Sequence, residues 1–262
     1  MDIIVCIKQV PDSYDISWDK NTGSLSRQSA SAMLNPIDKN TLEAAITLRE
    51  EHGGFITAIT MGPDQAEDVL REALGMGIDK AILLSDKVFA GADTLATSYA
   101  LSCAIKKIHR FDMVICGKES YDGVTGHVGP QLAEFLDLPQ LTNSTEISVK
   151  KNKVLVKQKT EDGYRLLEAN LPVLITVEKN INQPRIPSME DIMDAYREKI
   201  IDIWRGEDLN SNTEGFGLNG SPTKSKSVYV KKLVRGSAEI LKGEPDVTAR
   251  RLVEIFKEKG LF

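Results

Sequence analysis

The segment GKESYDGVTGHVGPQLAEFL, Gly117 to Leu136, holds glycines at 117, 123, 126 and 129 among hydroxyls and an imidazole, and an apolar helical pattern follows. Glycine lets backbone approach a phosphate closely, and a helix N-terminus adds orphan amides and the positive end of a dipole. Ser120, Thr125 and the amides of Gly123 to Gly129 are candidate donors, and His127 lies inside the loop where it could touch a ligand. The segment lacks the Gly-Lys-Ser/Thr ending of a phosphate-transferring loop, so its expected task is to hold a pyrophosphate, not to cleave one. A plain strand-to-helix turn is the competing reading.

Other strand ends should meet this loop if the sheet is wound in the usual way, because ligands in open parallel sheets lie beyond the carboxyl ends of the strands. The first apolar run delivers Cys6 to Gln9, the second delivers Met61-Gly62-Pro63, and the turn Asn35-Pro36-Ile37-Asp38 sits beside them. A third run leads through DKVFAGADTLATSY, where Gly91, Asp93, Thr94 and Thr97 form another hydroxyl-rich helix start, suited to a second phosphate or a ring system. A simple N-cap is the competing reading of Asp93. Hydrolytic and metal-assisted chemistry find no support: there is no Cys-His pairing signal, no Gly-x-Ser-x-Gly elbow and no metal-ligand spacing. The chemistry then belongs to a bound cofactor.

The elements that must position these residues are legible in outline. DIIVCIKQV, FITAITMG, KAILLSD and DMVICGK are short apolar runs separated by helical patterns, which is the signature of a parallel sheet covered on both faces. The expected class is α/β, a doubly wound, mostly parallel sheet. Between the first run and the first helix, alternation around Asn21-Thr22-Gly23 predicts a small hairpin. Asn35 is placed to cap the first helix and Pro36 to occupy its first position. Further helices are expected over 63–76, 92–109 and 125–136. After Pro139, alternating strands broken at Lys151-Asn152 and Asp162-Gly163, together with LPVLITVEK, predict an antiparallel extension.

From about Arg205 to Ser227 the chain is rich in Gly, Ser, Asn and charge, which marks a linker. The expected division is a nucleotide-binding domain over 1–200, a linker over 201–227 and a C-terminal arm over 228–262. The arm holds a strand-like piece, VYVKKLV, and an amphipathic helix that must dock on its own domain or on a partner. Lysines and arginines number 33 against 38 acids, a mixed surface of net charge -5 that gives no footprint for nucleic acid or an anionic membrane. The opening MDIIVCIKQV has neither a basic leader nor a secretory core, and no apolar run is long enough for membrane insertion. A cytoplasmic protein is expected, with Cys6, Cys103 and Cys116 as packed thiols.

VCIKQVPD, NPIDKNTLEAAITLRE, MGPDQAEDVLREALGMGIDKAILLSD, GKESYDGVTGHVGPQLAEFLDLPQ and LPVLITVEKNINQPRIPSMEDIM resemble, in order, the beta subunit of electron-transferring flavoprotein. Together with the closing arm they span nearly the whole chain. The resemblance implies a heterodimer with an alpha subunit, on which the arm docks. It implies an adenine nucleotide surrounded by Cys6, Asn35, Pro36, Asp38, Met61 and Ser120 to Gln131, which adds Asp122, Val124, Val128 and Gln131 to the residues above. That nucleotide is AMP in mitochondrial-type members.

FAGADTLATSYAL resembles instead the electron-bifurcating members from anaerobic bacteria, which implies FAD near Gly91, Asp93, Thr94 and Thr97, and NAD(H) as substrate. The implied reaction passes a hydride from NADH to this flavin, then one electron to ferredoxin and the other through the alpha-subunit flavin to a dehydrogenase. The chain reads NQPRIPSMEDIMDAYREKI where the family commonly carries lysines after its docking loop. Glu190, Asp191 and Asp194 therefore leave both an acyl-CoA dehydrogenase and a flavin-dependent 2-hydroxyacid dehydrogenase open as partner.

Overall fold

The structure, a computed structural model, describes residues 1–12, 17–19, 24–26, 32–108, 110–223, 238 and 240–261. Two units separate, Met1–Lys224 and Ser225–Phe262. In the first, the chain runs through β1 (Asp2–Cys6), β2 (Gln9–Pro11), β3 (Ser17–Asp19), β4 (Ser24–Ser26), β5 (Ala32–Leu34), α1 (Pro36–His52), β6 (Phe55–Met61), α2 (Glu67–Met76), β7 (Lys80–Leu84), α3 (Thr94–Lys107) and β8 (Met113–Gly117). It continues through α4 (Val128–Leu136), β9 (Gln140–Lys150), β10 (Lys153–Thr160), β11 (Gly163–Asn170), β12 (Val173–Val177), α5 (Met189–Arg197) and β13 (Ile201–Trp204). The second unit contains α6 (Pro245–Glu258), an amphipathic helix with Val247, Leu252 and Val253 exposed.

Nine strands form one sheet in the order β11-β10-β9-β12-β8-β1-β6-β7-β13. From β9 to β13 neighbouring strands pair in parallel, and β9, β10 and β11 form the antiparallel extension. Strand side chains alternate between faces, so successive apolar residues of a two-sided sheet feed two cores. Ile3 and Val5 pack with α1 and α2 on one face, while Ile4 and Cys6 pack with α3 and α4 on the other. This is the doubly wound α/β arrangement. The predicted hairpin is present as β3 paired antiparallel to β4, and its tip at 20–23 lies outside the described residues. The strand-like piece at 228–234 lies outside them too.

Three expectations are corrected. LPVLITVEK does not belong to the antiparallel extension: β12 is buried along its whole length and pairs in parallel between β8 and β9. Its run of β-branched and apolar residues, broken only by the buried Thr176 and showing no alternation, is what two-sided burial requires. The linker over 201–227 is folded as far as it is described. Ile201–Trp204 forms β13 at the sheet edge, and Leu209 and Phe216 are buried, Phe216 with its ring 5.1 Å from Phe89 and 5.5 Å from Tyr99. A polar segment can fold when its few apolar side chains are lodged in a core built by the rest of the chain. Finally, the Asn35 side chain makes no capping bond to α1, although Pro36 does take the first-turn position.

Candidate functional site

The chain winds outward from β1 in opposite directions, to β6 and β7 on one side and to β8 and β12 on the other. The carboxyl ends of β1 and β8 are therefore the topological switch point, where a ligand crevice is expected. Cys6 and Cys116 are register partners here and both are buried. Their mutual hydrogen bond, with burial, pushes the Cys116 thiol well up, which makes it a packing group, not a nucleophile.

Beyond β1, the backbone of Lys8 is clamped from both sides. Its amide donates to Asp38 Oδ2 at 2.7 Å, and its carbonyl accepts from the Asn35 amide at 2.9 Å. The Asn35 side chain turns to the glycine loop, donating to the Glu119 carbonyl at 3.1 Å and accepting from the Tyr121 amide at 3.0 Å. Asn35 thus joins the start of α1 to the loop after β8. Asp38 is enclosed beside this joint, and desolvation raises its carboxyl to about 7 against the opposing bonds from Asn35 and Lys8.

The loop after β8 is tightly turned. The Val124 amide donates to the Ser120 carbonyl at 2.9 Å, Val124 has φ 48° and Gly126 has φ 64°. A β-branched residue held in the left-handed region is strained, and such strain concentrates at ligand sites. Among the described residues, the amides of Gly123, Thr125, Gly126 and His127 donate to no acceptor. They lead directly into α4, whose first amides have no partner within the helix. Lys8 Nζ lies 2.6 and 2.9 Å from the Asp122 carboxylate oxygens and 3.2 Å from Ser120 Oγ. Desolvation opposes ionisation of Asp122, yet Lys8 and Ser120 together hold its carboxyl below the usual range.

The first turns of α3 and α4 are tied together by Ser98, whose hydroxyl lies 2.7 Å from the Thr94 carbonyl and 3.1 Å from the Val128 carbonyl. Both helices therefore open towards one stretch of the rim. Asp93 caps α3, its Oδ1 accepting from the amides of Leu95 and Ala96 at 3.0 and 3.1 Å. Its Oδ2 accepts from the Thr223 amide at 3.1 Å, and its own amide donates to Ser221 Oγ at 2.8 Å. Desolvation again opposes, but these amides hold the Asp93 carboxyl down. The segment 217–223 thereby fastens the loop that carries Gly91.

The family described as "Electron transfer flavoprotein domain" matches residues 22–204. The chain belongs to the electron transfer flavoprotein family. It is 46% identical over 254 residues to the electron transfer flavoprotein subunit beta of Thermoanaerobacterium thermosaccharolyticum, covering 97% of each chain. It is 42% identical over 263 residues to the caffeyl-CoA reductase-Etf complex subunit CarD of Acetobacterium woodii, covering 100% of each. With Protein FixA of Azorhizobium caulinodans it shares 41% over 268 residues, covering 99% of this chain and 95% of that one.

In this member of the electron transfer flavoprotein family, the structure brings most of the expected site residues to one edge. Cys6, Asn35, Pro36, Asp38 and Met61 end or follow the strands at the rim, and Ser120 to His127 form the loop over the β1–β8 junction. Gly91, Asp93, Thr94 and Thr97 stand at the start of α3, and Val128, Gly129 and Gln131 lie on the first turn of α4. Two of them have a structural task. Asp93 is a cap, and Gly129 packs α4 on the sheet, since a Cβ there would lie 2.5 Å from Thr176 Cγ2. Sequence reasoning brings Lys8 to the rim within Cys6–Gln9 but gives it no role. Its signal was weak, a lysine just past a strand end, because its partners are more than a hundred residues away.

A second surface lies on α5 and the loop before it. Ser188 caps α5 through the Asp191 amide at 3.1 Å, and Ile186, Met189 and Tyr196 are exposed. The loop is held from below by Arg185, which donates to both Glu43 oxygens and to Glu50. Arg71 fixes the far end through the Ala195 and Lys199 carbonyls, each at 2.6 Å. Among the described residues no helix is long and apolar enough to cross a membrane.

Proposed function

We propose that this chain is a beta subunit that holds FAD at the β1–β8 rim and works in a cytoplasmic, electron-bifurcating complex. The observation that carries the reading is the paired opening of α3 and α4, tied through Ser98, beside a loop whose amides at 123 and 125–127 are unengaged. The loop suits a pyrophosphate and the α3 start suits a ring or second phosphate, so a dinucleotide uses both. AMP would use the loop alone, and a subunit with structural AMP, supporting electron transfer by the alpha-subunit FAD, is the alternative.

When bound, FAD supplies hydride acceptance from NADH and release of the electrons singly, one to ferredoxin and one through the alpha-subunit flavin to a dehydrogenase. This chain's residues bind and orient. Asn35 holds the loop to α1, Val124 and Gly126 set its turn, and Ser221 and Thr223 fix the loop before α3. The arm carrying α6 docks on the alpha subunit, which would cover its exposed Val247, Leu252 and Val253. The exposed apolar residues of 186–196, rimmed by Glu190, Asp191 and Asp194, form the docking face for a flavin-dependent dehydrogenase of acyl-CoA or 2-hydroxyacid type. CarD's name, which couples a reductase to Etf, is in keeping with such an assembly.

Releasing and identifying the nucleotides of the purified heterodimer tests this reading. Two FAD per heterodimer and no AMP is the expected result. One FAD with one AMP would select the alternative, and absence of any adenine nucleotide would overturn both.

A further inference from the structure

We propose that Lys8 is the phosphate-binding cation of this site, held ready by Asp122 and Ser120, which rests on the nucleotide reading above. Three observations place it there. Its base is fixed, because the Lys8 amide is bound by Asp38 and its carbonyl by Asn35, so the side chain starts from an immobile point at the switch point. Its ammonium reaches the glycine loop itself, 2.6 Å from Asp122 and 3.2 Å from Ser120, and the same loop carries the unengaged amides of Gly123 and Thr125 to His127. The other cation leaving this part of the sheet, Lys118, is directed to Glu178 on the β12 side at 3.1 Å.

The arrangement has a physical logic. Backbone amides give a diphosphate hydrogen bonds but carry no net charge, and the adjacent Asp122 carboxylate would repel it. Lys8 offsets Asp122 before binding and can be shared with a phosphate oxygen afterwards, since an ammonium has three donors. Its side chain is 46% exposed, so it is open to an incoming anion while its counter-charge keeps it over the loop. Asp122 then acts as a positioning residue and Lys8 as the group that reads the phosphate.

The test compares two probes, ADP and adenosine, on the full-length chain in complex with its alpha subunit after removal of bound nucleotide, by titration calorimetry. Lys8→Gln should weaken ADP about tenfold or more while leaving adenosine unchanged, because only the charge-assisted bond to phosphate is lost. It should also lower the salt dependence of ADP binding, and Lys8→Arg should restore most of the affinity. Unchanged ADP affinity in Lys8→Gln, or equal weakening of ADP and adenosine, would overturn the proposal while leaving the nucleotide reading intact. A wild-type complex that binds neither probe would overturn both.

Discussion

Gly117 ends β8 directly against Asp38, and the sharpest test of the site's construction is Gly117→Ala. The added Cβ would lie 2.4 Å from Asp38 Oδ1 and 3.1 Å from Ile37 Cγ2. Asp38 cannot simply turn away, because it is 4% exposed and its Oδ2 accepts the Lys8 amide at 2.7 Å. Moving it leaves that amide without its partner, at about 1–3 kcal/mol, and the crowding adds roughly 1–3 kcal/mol more. The lower entropy of the unfolded chain with alanine returns about 0.4–1 kcal/mol. A net loss of roughly 1–5.5 kcal/mol follows, to be set against the ~5–15 kcal/mol that holds a domain folded.

Urea unfolding followed by circular dichroism reads this directly, and a double-mutant cycle isolates its cause. Asp38→Ala removes the carboxylate that the new methyl meets. Gly117→Ala made on that background should therefore destabilise by less than about 1 kcal/mol. A penalty of the same size in both backgrounds, or a single variant within about 0.5 kcal/mol of wild type, would refute the proposed contact.

Other outcomes follow from the same geometry. The folded Asp38 carboxyl sits at about 7 against an ordinary 3.8, so the native chain holds this proton more tightly than the unfolded chain does. Its contribution is full below about pH 4 and declines as pH rises to 7, by roughly 4 kcal/mol at most, and Asp38→Asn should remove that decline from urea titrations run across the range. Gly126→Val places a β-branched side chain at φ 64°, at about 1–2 kcal/mol, and closes the backbone approach to phosphate. The purified complex should lose its beta-subunit nucleotide, and wild-type nucleotide content would count against the loop as a cradle. Phe216→Ala should lower stability by about 3–5 kcal/mol, since the ring is 1% exposed. A change within about 0.5 kcal/mol would mean that the segment around it behaves as a linker after all.

The fold was legible where burial leaves a mark in consecutive residues. β1, β6, β7 and β8 are short apolar runs followed by helical periods, and a parallel sheet produces that pattern directly. β12 carries nearly the same mark, but in the chain it directly follows the alternating strands β9 to β11, which masks its parallel place. All five of its residues are buried, and its single polar side chain, Thr176, is satisfied by the Asn143 amide, which separates it from the alternating strands before it. β13 is harder, since an edge strand of four residues with Asp202 inside it has little periodicity to show. The stretch after it looks like a linker because composition averages over a window, whereas folding there depends on single side chains. Leu209 and Phe216 fill a core made by one face of the sheet together with α3 and α4, and no local count of polar residues registers a site prepared elsewhere in the chain.

The candidate site divides along the same line. The glycine spacing of 117–129 is local and was readable, and so was Asp93 as a cap. The role of Asn35 was not, because a residue one position before a helix looks like a cap until the loop after β8 is placed beside it. Lys8 is the extreme case. Its neighbours in sequence suggest a solvated lysine, while its neighbours in space are Ser120 and Asp122, 112 and 114 residues away. Parallel sheets bring such distant segments together at the switch point by construction, since every crossover returns the chain to the same edge. The chemistry of such a site is therefore assembled from residues that are individually ordinary. Lys8, Asn35 and Asp38 gain meaning only through bonds that the sheet order creates, and removing any one should be felt first at the loop it holds.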